Sequence, residues 1–495
     1  MVRAGPAATG AAEAASGRLR STHRSRPQTD PVLLRRVVEG VCVLTLWSVC
    51  AAAAGGYFYS DSGIVATGRG GAWVAGADTQ FAQYYNPAGL IRIEHPTVNI
   101  GWSGVKQGVG FSRLKPGLDP SSPDAFYPEA INQAAPFSVP QLGLATPLGD
   151  RVALAVGFYS PFAPSSLYDE EGPQRYSIKD TLIYQFSIGP SVAVQPHRAI
   201  TLGLGLQWKY LQVGETVDVT ISGRDDPSGD VAVEARGVDP FTPNLNAGLL
   251  FEPIEPISVG LAVQPPTRFQ ARGAGTLDFT GSSLEPLLNQ LTYTDDDIAL
   301  NLDLPWVLRA GVAARPLPKL EIEGAVVWQG WSSLDDISIE EIDVGVDSDS
   351  ILVPEDQRRV DEQIVLPAGL RDTVSLRLGA EARIHELLEL RAGGFYENGA
   401  LAPDEISVAL VDTSKVQLGA GASTFLLEER LRVDLAAAVQ LFRRLEIRNS
   451  TVSQIDAGVI DGVVPAVVGN GDLRSSGWIL GVQGQWSLTS LGGSR

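Results

Sequence analysis

Fourteen stretches of the chain alternate apolar and polar side chains with a period of two, and the joins between them are alternately tight and long. That combination constrains the fold more than any motif does, because a period of two puts successive side chains on opposite faces of a strand. The stretches run Thr97 to Phe111, Phe137 to Leu148, Arg151 to Pro161, Thr181 to Val194, Ala199 to Val213, Phe241 to Phe251, Ile257 to Phe269, Leu300 to Ala313, Leu320 to Trp331, Thr373 to Ile384, Leu388 to Asn398, Lys415 to Leu426, Leu431 to Ile447 and Gly477 to Leu488. In the fifth, Ile200, Leu202, Leu204, Leu206, Trp208 and Tyr210 make one face, while Thr201, Gly203, Gly205, Gln207 and Lys209 make the other. The division recurs at Leu300 to Val312, with Asn301, Asp303 and Arg309 on the polar side and Pro305 as an irregularity. One face suits lipid; the other tolerates water.

The connections decide between a soluble sandwich and a membrane barrel, since both alternate. Gly149-Asp150, Gln195 to Arg198, Glu252 to Pro256, Arg315 to Lys319, His385 to Leu387 and Leu427 to Arg430 are tight, and the joins between these are long, polar and often acidic. An even number of antiparallel strands with short turns on one side and long loops on the other is the layout of a bacterial outer-membrane barrel. Beyond the leader no apolar run reaches the ~18 residues of a spanning helix. A membrane protein of this kind therefore has to satisfy its backbone in a closed barrel. Trp102, Trp208, Trp306, Trp328, Trp331, Trp478 and Trp486 lie in or near these strands and are candidates for interfacial girdles. A net charge of −19 and a pI near 4.7 argue against nucleic-acid binding, which needs basic patches.

The start of the chain has a different character. Met1 to Pro31 is Ala/Gly/Arg-rich; Arg35-Arg36 then precede an apolar stretch, Val41 to Val49, and the alanines Ala51 to Ala54. This is the n-region, h-region and cleavage site of a secretory signal, with cleavage expected near Ala54. The only cysteines, Cys42 and Cys50, fall inside that leader, so the mature chain would carry no thiol.

Between leader and first strand lies Gly68 to Leu90, G-R-G-G-A-W-V-A-G-A-D-T-Q-F-A-Q-Y-Y-N-P-A-G-L. It is too rich in Gly and Ala for a strand and lacks the apolar stripe of an independent helix. Pro87 fixes φ and Gly89 permits φ > 0, so a turn is expected there. Small residues bury little area, so the segment needs a wall supplied by something else, and it reads as a plug inside a container.

The pattern G-x-G-G-A-x-x-A-x-A-D followed by N-P-A-G-L resembles the amino-terminal hatch of the FadL/TodX family of outer-membrane transporters for hydrophobic compounds. It is carried by Gly68, Gly70, Gly71, Ala72, Ala75, Ala77, Asp78, Asn86, Pro87, Ala88, Gly89 and Leu90; Thr79-Gln80 departs from the second acid or small residue common there. The resemblance implies an all-β fold, a 14-stranded antiparallel transmembrane β-barrel with an N-terminal hatch in its lumen. It divides the chain into a leader with signal peptide (1–54), a hatch (55–95) and a transmembrane barrel (96–495).

The resemblance also implies sites. Asn86, Pro87 and Ala88 would be the plug motif, with Gly68, Gly70, Gly71 and Asp78 shaping the hatch. Tyr57 and Phe58 of the mature amino terminus would line a ligand pocket. Leu284, Leu287, Leu288 and Leu291, spaced for one face of a short helix in the loop Gly275 to Ile298, would form an outer catch, or else merely pack that loop on the rim. The third strand would carry a lateral gate at Gly157 and Pro161, with Pro164 beyond, because proline cannot donate to the ladder. The closing strand Trp478 to Trp486 alternates well, although Leu488 to Arg495 trail past it.

No catalytic constellation is present. His23 is in the leader, while His95, His197 and His385 lie beside the first strand or at tight turns without a Ser/Asp partner at informative spacing. No Cys/His metal pattern occurs, and the acidic runs Asp295 to Asp297, Asp335-Asp336 and Asp343 to Asp349 are expected to be solvated outer loops. The expectation is a monomeric barrel in the outer membrane of a Gram-negative bacterium, in contact with membrane lipid and lipopolysaccharide and free of cofactor, metal and nucleic acid. It would pass long-chain fatty acids or other hydrophobic molecules inward by passive diffusion with a sideways exit. Aromatic hydrocarbon uptake, a purely structural or adhesive barrel, and an outer-membrane hydrolase are the alternatives.

Overall fold

The computed structural model describes residues 62–162, 165–220, 225–282, 285–288, 292–333, 336–347, 359–360, 364–367, 369–454 and 465–488. Fourteen strands pair antiparallel into a closed ring. They are β1 (Thr97–Arg113), β2 (Phe137–Pro147), β3 (Val152–Phe162), β4 (Asp180–His197), β5 (Ile200–Thr220), β6 (Asp230–Ile254), β7 (Ile257–Gln264), β8 (Val307–Leu317), β9 (Leu320–Gln329), β10 (Thr373–His385), β11 (Leu388–Glu397), β12 (Lys415–Leu426), β13 (Leu431–Phe442) and β14 (Gly471–Ser487). Each pairs with its neighbours in the chain, and β14 closes on β1 along its full length, from Ser487 opposite Thr97 to Gly471 opposite Arg113. Closure removes the open edges that no lipid could satisfy.

The outer surface states what surrounds it. Ile100 and Leu378 are each 62% exposed and Leu202 52%, and Leu144, Leu376, Leu418, Leu435 and Leu480 stand out in the same belt. A continuous apolar belt around a whole molecule is untenable in water and expected in lipid. Aromatic side chains ring it: Trp208 packs edge-on against Phe241 at 4.6 Å, and the Trp102 and Trp328 indoles donate to Ser138 and Asp372. Trp331 does not join that girdle. It is fully buried and donates to Gln329 Oε1 at 3.1 Å, because the helical turn Trp331–Ser333 turns it inward after β9 ends.

Above the outer girdle the polarity of the wall inverts. On β5 the inward positions change from Thr201, Gln207 and Lys209 to Leu211, Val213, Val217 and Val219; on β6 they are Val231, Val233 and Ala235, with Glu234 and Arg236 facing out. Apolar residues now predominate on the interior face, with Glu215 buried among them, and polar ones face water. Three further strands prolong the wall here: Thr267–Asp278 pairs with β6 and with Thr292–Leu304, which pairs with Asp336–Asp347. Two departures from the sequence expectation follow. Much of Gly275 to Ile298 is strand, with a helical turn at Glu285–Leu288, and the acidic run Asp295 to Asp297 sits opposite Gly345 to Asp343 within a ladder. Prolines also reset the alternation: Leu302 and Leu304 point in, as do Val307 and Arg309 after Pro305, so Asn301 and Asp303 do not share a face with Arg309.

The join between β11 and β12 is a third departure. It was expected to be polar, yet Ala400, Ile406, Val408, Ala409, Leu410 and Val411 are buried in the same apolar cluster as Phe111, Phe269 and Leu300. The loop folds into the upper interior because A-L-A-P-D-E-I-S-V-A-L-V is predominantly apolar despite its two acids. Asp412 turns back inside to accept from the Ala400 amide at 2.7 Å, and Lys415 meets Glu397 at 2.7 Å.

Candidate functional site

Residues 62 to 90 are almost entirely buried although they form only two short helices, Ile64–Gly68 and Ala82–Tyr85, and a 3-10 helix, Pro87–Arg92. The wall enclosing them is built of inward glycines. A Cβ on Gly203 would fall on the backbone of Ala88, one on Gly260 on the Val74 carbonyl, and one on Gly393 on the Arg69 carbonyl. Backbone-to-backbone approach of this kind is open only to glycine. Within the segment Gly70 and Gly71 have φ of 60° and 72°, which is why the first helix ends there. Gly89 does not take a positive φ; it sits inside the 3-10 helix, and its missing side chain makes room for the Ala77 carbonyl.

Asn86 holds the turn. Its Nδ2 donates to Val74 O at 2.9 Å and to Leu249 O of β6 at 3.0 Å, while its Oδ1 accepts from the Ala88 amide at 3.2 Å. Pro87 opens the 3-10 helix, where a missing N–H costs nothing. Asn246 of β6 donates to the Gln83 and Tyr84 carbonyls at 2.6 and 3.1 Å, and Arg92 pairs with Glu252 at 2.9 Å.

A charged anchor lies three strands farther round the ring, on β9 and β10. Arg69 meets Glu321 at 2.9 Å, Glu323 at 3.4 Å and Glu381 at 3.8 Å. The Glu323 carboxylate also accepts from three consecutive amides, Val74 at 2.5 Å and Ala75 and Gly76 at 2.8 Å. An acid fixed by three N–H groups and a guanidinium is strongly held. Asp78 stands half-buried nearby; burial pushes its carboxyl above the ordinary range against the pull of Arg432 and Arg92.

Above this segment a pair of cations faces the interior. Lys209 Nζ donates to Thr267 Oγ1 at 2.7 Å, and the Arg309 guanidinium lies 4.7 Å from the centre of the Tyr84 ring. Both side chains are 3% exposed, and the Arg309 Nη1 and Nη2 atoms have no acceptor among the described residues. The Tyr159 hydroxyl is likewise buried without a partner there, its ring 5.4 Å from Tyr84. Over them lies the apolar interior of Phe111, Ile183, Leu211, Val213, Phe269 and the β11–β12 loop. Arg113, Arg175, Tyr127 and Asp225 clamp the outer loops above: Arg113 and Arg175 meet Asp225 at 2.9 and 3.1 Å, and the Tyr127 hydroxyl donates to it at 2.6 Å.

The wall is interrupted between β2 and β3. Their ladder runs from Pro147 opposite Ala153 to Leu142 opposite Phe158 and stops, whereas β2 continues to Phe137 in its pairing with β1. On its other side β3 has a register shift between Tyr159 and Phe162 against Ser187 and Gln185, with Pro161 in the extra position. Such a bulge bends the strand that carries it. Gly157, just below, faces the Gln83 side chain. Outside, Phe137 crosses to Tyr184 at 5.5 Å, and Phe158, Phe186 and Tyr210 continue an aromatic strip.

The sequence-derived residues thus divide. Gly68, Gly70, Gly71, Asp78, Asn86, Pro87 and Ala88 come together inside the ring, and Gly157 and Pro161 lie at the interruption. Tyr57, Phe58, Pro164, Leu284 and Leu291 lie outside the described residues, as do the side chains of Leu287 and Leu288 on the Glu285–Leu288 turn. Sequence reasoning passed over Arg69, Glu323 and the Lys209/Arg309 pair as sites. The available signal was charge on the inward phase of strands β5, β8 and β9.

A family model described as outer membrane protein transport protein (OMPP1/FadL/TodX) matches residues 44–487. Among solved structures, a Pseudomonas aeruginosa FadL homologue is similar with a TM-score of 0.69 at 16% identity, over 87% of this chain and 100% of that one. The Ralstonia pickettii toluene transporter TbuX gives 0.61 at 15% identity over 86% and 98%, and the P. putida toluene transporter TodX 0.61 at 14% over 86% and 99%. No curated protein matches the sequence.

Proposed function

The chain belongs to the FadL/TodX family of outer-membrane transport proteins for hydrophobic compounds, in the outer membrane of Gram-negative bacteria, and we propose that this member carries long-chain fatty acids. The observation behind that choice is the Lys209/Arg309 pair. Two buried cations facing an apolar interior, with guanidinium donors unfilled among the described residues, are costly unless an anion arrives to meet them. A ligand with a long apolar body and one carboxylate matches both parts, its chain among Phe111, Leu211 and Phe269 and its head on Arg309 and Lys209. A neutral aromatic, such as the toluene named for two of the similar structures, leaves the cations unmatched.

The route begins at the outer rim, where Leu284, Leu287, Leu288 and Leu291 serve as a catch and Tyr57 and Phe58 contribute to the pocket. It continues through the apolar interior to the cation pair and leaves between β2 and β3, past Gly157 and Pro161, once Asn86 to Ala88 give way. Passing from interior to lipid without crossing water retains roughly 25 cal/mol per Å² of apolar contact. No catalytic step is assigned to the protein.

Uptake of labelled oleate and labelled toluene, measured in a deletion strain expressing the wild type or K209M/R309M, tests this. Oleate uptake falls at least tenfold in the double variant while any toluene uptake persists. Oleate uptake indifferent to the substitutions removes the carboxylate reading, and no uptake of either compound by wild type removes transport.

A further inference from the structure

Glu215 belongs neither to the cation pair nor to the outer clamp. It sits on the inward face of β5 above the outer girdle, 2% exposed, and both its carboxyl oxygens are buried without a hydrogen-bond partner among the described residues. Its ladder neighbours do not supply one. Thr181, opposite it on β4, commits its hydroxyl to the Gly214 carbonyl at 3.2 Å, and Ala235, opposite it on β6, presents only a methyl group. The nearby outer cations have acids of their own: Lys179 meets Asp218 at 3.1 Å and Arg175 meets Asp230 at 2.8 Å. Burial, reinforced by the charge of Asp180, pushes the Glu215 carboxyl well above its ordinary range. The protonated group carries one O–H donor beside one carbonyl acceptor, and leaving both empty in an apolar interior is costly.

The same face of β5 carries Lys209. Lys209, Leu211, Val213 and Glu215 are successive inward positions, all buried, and Ile183 of β4 lies opposite Val213. Gln185, opposite Leu211, donates to Ser187, which is paired with Lys209, at 3.0 Å and so belongs to the cation end. Six residues of strand at about 3.3 Å each set the ammonium and the carboxyl positions ~20 Å apart. An extended long-chain fatty acid is about that long. The row is therefore an apolar track with a polar group at each end.

We propose that Glu215 is the far pole of the ligand site, and that the preferred cargo is a long-chain acid bearing a hydroxyl at the end remote from its carboxylate. The carboxylate rests on Lys209 and Arg309, the chain follows the β5 row, and the terminal hydroxyl donates to one oxygen of Glu215 and accepts from the O–H of the other. A methyl end fits the track but leaves both oxygens empty, so the hydroxyl is favoured where an alkyl terminus is not. An ammonium there would require the ionised carboxylate that burial opposes. The inference rests on the carboxylate reading of the cation pair given above and adds the group at the other end.

Calorimetric titration of the amphipol-solubilised full chain with hexadecanoate, ω-hydroxyhexadecanoate and α-hydroxyhexadecanoate tests it, with heat-modifiable mobility as the folding control. The wild type binds the ω-hydroxy acid about tenfold more tightly than either of the others, as one well-placed hydrogen-bonding group provides. The α-hydroxy isomer has the same atoms with the hydroxyl beside the head, so this comparison needs no variant. E215L abolishes the preference while retaining hexadecanoate; E215Q, which still donates and accepts, keeps most of it. Hexadecanoate bound without preference for the ω-hydroxy acid, or a preference that survives E215L, overturns the far pole and leaves the carboxylate reading standing. Equal binding of all three acids by wild type and K209M/R309M overturns the carboxylate reading and this inference with it, as does no binding of any of them by wild type.

Discussion

The side-chain amide of Asn86 donates to the main-chain carbonyl of Leu249 at 3.0 Å, joining residues 163 positions apart in the chain. That bond ties the turn at Pro87 to β6, and the remaining groups of the same amide hold Val74 and Ala88. Asn86→Ala strands three buried polar groups, so a local loss of about 2–4 kcal/mol is expected. It is read as faster hydrogen exchange over residues 86–92 and a higher resting ion conductance in planar bilayers, with barrel yield unchanged.

Gly203 tests how closely wall and hatch are fitted. A side chain there meets the Ala88 backbone, which has no flexible end to move aside. Gly203→Val is expected to form a barrel with normal heat-modifiable mobility but to push the hatch off its seat, at a cost of about 1–3 kcal/mol. Protease access to Asn86–Leu90 from the periplasmic side measures the displacement.

The outer clamp makes a pH prediction. Burial works against ionisation of Asp225, yet the Tyr127 hydroxyl and the Arg113 and Arg175 guanidiniums outweigh it and hold the carboxyl below its ordinary 3.8. A depressed acid stabilises the fold fully above its unfolded value, and that contribution is lost as pH falls through the folded one. Trypsin resistance of residues 114–136 and 165–179, assayed after brief incubation at each pH, should be flat from neutral down to about pH 5 and decline below about pH 4. Asp225→Asn should bring the acid-exposed pattern to neutral pH.

Lys415 secures the loop that fills the upper interior. It faces Glu397 at 2.7 Å and Asp412 at 3.5 Å, all three buried. Lys415→Met leaves the two acids without their cation, a loss of about 3–5 kcal/mol. A lower urea midpoint, with new cleavage within residues 399–412, is the expected result.

The ring was legible because lipid imposes one rule on every spanning strand. Leu202, Leu204, Leu206 and Trp208 must all be apolar, whatever they neighbour, and the tight turns punctuate the series. Above the girdle that rule lapses. Water replaces lipid outside, Pro305 shifts the phase, and Leu300 to Val312 then reads as one continuous face when it is two. The Gly/Ala segment was legible as something needing a wall, since Gly70 and Gly71 cannot serve a strand. Its anchor was not: Arg69 is a lone charge in its neighbourhood, and Glu321 and Glu323 come 252 and 254 residues later. The Asn398 to Lys415 join misled because its three acids mark it as polar, while Ile406, Val408 and Leu410 decide where it goes.

The 3-10 helix ends at Arg92, and β1, which zips to β14 over 17 residues, begins at Thr97. Stopper and first stave are therefore one short length of chain, joined only through Ile93 to Pro96. So short a tether keeps the Asn86 turn beside the rim at which β1 begins, and ties the position of the stopper to the seam where the ring closes.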